Sequence, residues 1–97
     1  MVTVEQAAER VEAFVQGCAE GDLGRVRVVL SRTQDRGAYW VFFYDSAKYL
    51  DSGDRRDALI GNAPVIYEKL SGRMLATGTA EPLSYYLRLF ERTGAVR

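Results

Sequence analysis

The chain is 97 residues long, the size of a single domain, 1–97, by the usual length prior. Its thirteen basic and thirteen acidic side chains cancel. That removes the overall field which holds a polyanion and argues against nucleic acid as a partner. Hydrophobic residues at 47% and charged residues at 27% give a globular balance rather than a disordered one.

Cys18 is the single cysteine, so neither an internal disulfide framework nor a cysteine metal cluster is available. The first twelve residues carry Glu5, Glu9, Arg10 and Glu12, too acidic and interrupted for a signal peptide. No apolar run approaches the roughly 18 residues that span a bilayer, so no membrane association is expected. A reducing cytoplasm is the expected compartment.

The first element is a helix at about Val4 to Glu20. Val4, Ala7, Ala8, Val11, Phe14, Val15 and Cys18 recur at i, i+3, i+4 and i+7 and form one apolar stripe. Thr3 and Gln6 form a capping box, and Gly21 is the expected stop. Cys18 lies on the stripe and reads as a small core thiol.

Strand character follows over Arg25 to Ser31, with Val26, Val28 and Leu30 on one face. Gln34 to Gly37 is the expected hairpin loop. Tyr39 to Tyr44 is the most strand-like run and is apolar on both faces. Tyr39, Val41 and Phe43 lie on one, Trp40, Phe42 and Tyr44 on the other. Such a strand is either covered on both sides or offers one side to a partner.

Ser46 to Asn62 is the least regular stretch, expected as a long loop with one helical turn. Loops of that length are uncommon in compact domains and are often functional. Beyond it, Val65 to Lys69 and Arg73 to Thr77 form a hairpin, with Pro64 opening the first strand and Gly72 as the left-handed turn residue. Pro82 starts the last helix, about Pro82 to Thr93, and Gly94 ends it. Leu83, Tyr86, Leu87 and Phe90 line its inner face.

The elements predict an α+β fold: an N-terminal helix, a four-stranded antiparallel meander and a C-terminal helix packed on the sheet. The expected core comprises Val11, Phe14, Val15, Val28, Val41, Phe43, Ile66, Leu83, Leu87 and Phe90.

Catalytic chemistry is poorly provided for. The chain has no histidine, which removes the commonest general base, the Ser-His and Cys-His dyads and most zinc sites. Neither common phosphate-binding glycine pattern is present. Asp51, Asp54 and Asp57 stand at i, i+3 and i+6 in the long loop and could act as paired carboxylates or hold a hard cation. The plainer reading is a solvated loop whose charge Arg55 and Arg56 offset. No enzyme activity, cofactor or metal is expected.

The eleven aromatic residues could form a stacking platform for single-stranded nucleic acid, but their periodicity favours core packing. Any exposed Tyr suits a protein interface. Within the long loop, Tyr49, Asp51, Asp54, Arg55 and Arg56 are the candidate partner contacts, since Tyr and Arg are frequent hot spots and paired charges set register.

From Gly61-Asn62-Ala63-Pro64-Val65-Ile66-Tyr67-Glu68-Lys69 through Ser71-Gly72, Gly78-Thr79, Pro82-Leu83 and Tyr86-Leu87, the chain resembles the YrhB-like, or immunity protein 35, family. The resemblance extends more loosely to the aromatic strand and the Leu50/Gly53-Asp54 loop, so that it covers roughly Ala38 to Glu91. Ala63, at a position more often Gly, and Leu70, in a turn position usually polar, depart from the pattern.

The resemblance implies a small bacterial protein that binds and neutralises a toxin made by the same cell, with no catalytic residues to carry over. The alternative it implies is a chaperone-like holdase. That role would need a large exposed apolar patch, which an uncovered face of Tyr39 to Tyr44 would supply. Homodimerisation could close the same patch.

Overall fold

The computed structural model describes residues 2–18, 24–59 and 62–96. The expected helix stop at Gly21 and the environment of the Cys18 side chain lie outside what it describes.

Helix α1 (Val4–Cys18) begins with the expected reciprocal cap. The Thr3 amide donates to Gln6 Oε1 at 2.9 Å, and the Gln6 amide donates to Thr3 Oγ1 at 3.1 Å. Strand β1 (Val26–Val28) and a 3-10 turn (Leu30–Arg32) lead into β2 (Gln34–Asp35), β3 (Tyr39–Phe42) and β4 (Tyr44–Ser46). Helix α2 (Ala47–Ser52) and a second 3-10 turn (Arg55–Asp57) follow, then β5 (Val65–Glu68), β6 (Met74–Ala76) and α3 (Leu83–Thr93).

The molecule is α+β as expected, but its strands form two antiparallel sheets instead of one meander. The larger has the order β2-β3-β5-β6, and the smaller pairs β1 with β4. Chain breaks on both sides of the first hairpin cause the division. The 3-10 turn at Leu30–Arg32 separates β1 from β2, and Phe43 separates β3 from β4. The expected edge strand, β1, therefore belongs to the small sheet, and the edge of the large sheet is Gln34–Asp35. Those two residues were expected in a loop. They pair with Val41 and Trp40, and the turn shrinks to Arg36–Ala38, with Gly37 at φ +84°.

The large sheet is a layer between two helices. Trp40 and Phe42 face the same side as Val65 and Tyr67, where Ala7, Ala8, Val11 and Val15 of α1 cover them. Tyr39, Val41 and Ile66 face the other side, covered by Leu87 and Phe90 of α3. Register explains the sorting. Val41 pairs with Ile66 and Trp40 with Tyr67, so residues of like orientation adjoin across the two strands. All four residues of β3 are buried. The strand Tyr39–Phe42 is thus central and covered on both faces, while Phe43 and Tyr44 are half-buried.

The expected core is largely as found. Val11, Val15, Val28, Val41, Ile66, Leu87 and Phe90 are buried. Phe14, Phe43 and Leu83 are half-buried and pack against the two clusters. The largest fully buried side chain is Tyr67, whose hydroxyl accepts from Arg10 Nη1 at 3.0 Å.

Polar side chains of α1 close the outer edge of β1. The Val26 amide donates to Gln16 Oε1 and the Val28 amide to Glu12 Oε2, both at 3.1 Å. Edge amides that would otherwise invite another strand are thereby satisfied. At the other end of the chain, Pro82 is the residue before α3 rather than its first helical residue. Its φ of −61° suits the helix, but its ψ of 152° remains extended.

Candidate partner-binding surface

The excursion from β4 to β5 is more ordered than the sequence suggests. It holds the six-residue helix α2 and a 3-10 turn where a long loop with one helical turn was expected. The local sequence explains both. Ser46 caps α2, its hydroxyl accepting the Tyr49 amide at 3.4 Å, and Gly53 ends it in the left-handed conformation. Asp54 caps the second turn by accepting the Arg56 amide at 3.0 Å.

One carboxylate ties the two ends together. Asp45 Oδ1 accepts the Ser46 amide at 2.7 Å and the Leu59 amide at 2.9 Å. Nearby, Asn62 Nδ2 donates to the Tyr44 carbonyl at 2.7 Å. The segment therefore leaves and re-enters the body at nearly one point, as compact Ω-type loops do.

The five candidate contacts all lie on this segment, in different states. Tyr49 is half-buried on α2. Asp51 receives Arg27 of β1 through two bonds, at 3.0 and 3.3 Å. Asp54 is held in a fork by Arg56, with Nη2 2.7 Å from Oδ2 and Nε 3.1 Å from Oδ1. The guanidinium and then the Arg56 amide keep the Asp54 carboxyl below the ordinary carboxylate range. The Arg55 guanidinium is exposed and has no carboxylate partner among the described residues.

The alternating carboxylates do not converge on a common point. Asp51 turns to Arg27, Asp54 to Arg56, and Asp57 to Lys48 at 3.4 Å and to the Ser52 hydroxyl at 3.1 Å. Among the described residues, no group of three or more His, Cys, Asp and Glu side chains is placed to hold a metal ion. The segment is instead a set of ordered charge pairs on an anchored backbone, with Arg55 left open.

Tyr39 is the buried group with the least conventional environment. Only 2% of it is exposed, and its hydroxyl makes no hydrogen bond among the described residues. Burial, reinforced by the nearby Glu91 carboxylate, pushes the phenol up from its ordinary value. It stays neutral and holds its ring edge-on to Phe90, with centroids 5.0 Å apart.

A second surface constellation, three of whose four residues are exposed and one half-buried, lies apart from the residues that the sequence singled out. Tyr85, Arg88, Leu89 and Arg92 stand together on the outer face of α3. The available signal was their i, i+3, i+4, i+7 spacing, which sets two large apolar side chains opposite the buried Tyr86, Leu87 and Phe90.

Fold and surface together define a small α+β protein whose larger sheet lies between two helices and which holds several of its surface charges in ordered pairs. A family profile for immunity protein 35 matches residues 5–89, and the chain belongs to the immunity protein 35 family. It is also similar to an uncharacterized protein, YrhB, of Escherichia coli (strain K12), at 42% identity over 52 residues. That match covers 54% of this chain and 55% of the relative, so the chain spans about half the length of the curated protein it matches. No solved structure matches it. None of the described helices is long and apolar enough to cross a membrane.

Proposed function

We propose that this chain neutralises a cognate protein toxin in the cytoplasm by tight, non-covalent binding, without catalytic chemistry of its own. The observation that carries the proposal is membership of an immunity protein family, with a match over residues 5–89. The absence of histidine and the scattering of the loop carboxylates among separate partners favour binding over catalysis.

Tyr49, Asp51, Asp54, Arg55 and Arg56 are the proposed contacts. Their segment is pinned at both ends by Asp45, which lowers the ordering cost of binding. Arg55 is the contact best suited to a test, because it has no carboxylate partner among the described residues to lose.

Co-expression with the toxin domains encoded by neighbouring genes tests the reading. Rescue of growth and co-purification of a stoichiometric complex are expected, with Arg55→Glu weakening the complex while the thermal midpoint holds. A chain that neither rescues nor co-purifies overturns the proposal.

A further inference from the structure

The outer face of α3 combines three properties. Its apolar part reaches solvent, since Tyr85 is 48% accessible and the half-buried Leu89 lies beside it. Its aromatic ring is braced. Tyr85 stands perpendicular to the ring of Tyr86, with centroids 5.3 Å apart. Tyr86 is itself buried, and its hydroxyl accepts the Glu81 amide at 3.2 Å.

Gly78 makes room for that hydroxyl. A Cβ there would lie 2.8 Å from the Tyr86 ring carbon that bears the oxygen, closer than carbon atoms approach without displacement. An exposed ring held this way loses little freedom on binding, which is how rigid aromatic anchors gain affinity.

The third property is charge. Arg88 and Arg92 flank the apolar pair, and neither has a carboxylate partner among the described residues. Arg88 Nε reaches only the Ser84 carbonyl of its own helix, at 3.4 Å. No acidic side chain shares the four-residue stripe.

We infer that this stripe is a docking surface for an acidic segment of a protein partner. Tyr85 and Leu89 receive an apolar side chain, and Arg88 and Arg92 each take a carboxylate. Charge complementarity selects that occupant. A second copy meeting the same face about a two-fold axis would bring four guanidiniums together with no carboxylate between them. Nucleic acid is poorly served by two cations on a chain of zero net charge. The inference rests on the partner-binding reading above and adds a surface separate from the α2 segment.

The test measures binding of the toxin domain that the wild-type chain retains in the co-expression experiment. Tyr85→Ala should weaken binding by about tenfold to a hundredfold, as for a central aromatic anchor. Arg88→Glu with Arg92→Glu should weaken it by about tenfold or more, most strongly at low ionic strength. Should Tyr85→Ala loosen the fold, the exposed arginine pair decides.

Unchanged affinity in the arginine variant, with wild type still binding, overturns this inference and leaves the parent reading intact. Failure of wild type to bind overturns the parent reading and the docking surface with it. The same variants are examined by sedimentation and against a single-stranded DNA oligonucleotide. Variant-sensitive dimerisation or oligonucleotide binding assigns the face to another occupant and overturns the proposal.

Discussion

Lys69 shows how much one side chain does in a domain of this size. Its ammonium lies 4.6 Å from the centroid of Trp40 and continues to Asp35 Oδ1 at 2.8 Å, so it crosses the large sheet from β5 to the edge strand β2. The ammonium and then the Gly37 amide hold the Asp35 carboxyl below its ordinary value of 3.8. A carboxyl depressed in the folded state contributes stability above its unfolded value and loses it as pH falls through the folded one. Stability is therefore expected to decline as pH drops below about 3.8. Asp35→Asn should make that acid limb shallower, as read by denaturant midpoints along a pH series. An unchanged limb would mean that the pair adds nothing in solution, as many exposed pairs do.

At the scale of elements, burial sets the value of each contact. Leu87 sits inside the α3 cluster at 4% exposure, whereas Phe43 is half-buried at the break between β3 and β4. Leu87→Ala should cost about 2–5 kcal/mol, the range for emptying a packed core position. Phe43→Ala should cost less, because solvent already reaches that site and Arg32 lies 4.9 Å from the ring centroid. Urea unfolding of both variants gives the comparison, and a larger loss at Phe43 would contradict the assigned packing.

For the whole molecule, the decisive arrangement is one sheet layer with a helix on each face. Removing either helix would open a continuous apolar surface. A chain ending at Ala80 lacks α3 and leaves Tyr39, Val41 and Ile66 without their cover. It should bind an apolar dye such as ANS and lose its cooperative thermal transition, while the full chain does neither. Cooperative unfolding of the shortened chain would show that α3 is dispensable to the core.

The sequence by itself determined the first and last helices, the two-faced strand, the closing hairpin and the family. Apolar spacing and turn residues are local signals, and Thr3 with Gln6 or Gly72 states its role within a few positions. Only the tertiary structure decided how the strands divide between sheets, because that depends on an interruption at Phe43 and a turn at Leu30–Arg32 that apolar alternation does not encode. The surface was legible to the same limited degree. Composition marked Asp51, Asp54, Arg55 and Arg56, and Asp54 pairs locally with Arg56, yet the partner of Asp51 is Arg27, which arrives from β1. Helical spacing sets Tyr85 on the outer face of α3, but only packing braced it, by fixing Tyr86 against Gly78. Contacts between residues far apart in the chain arise from packing, and packing is a property of the folded molecule.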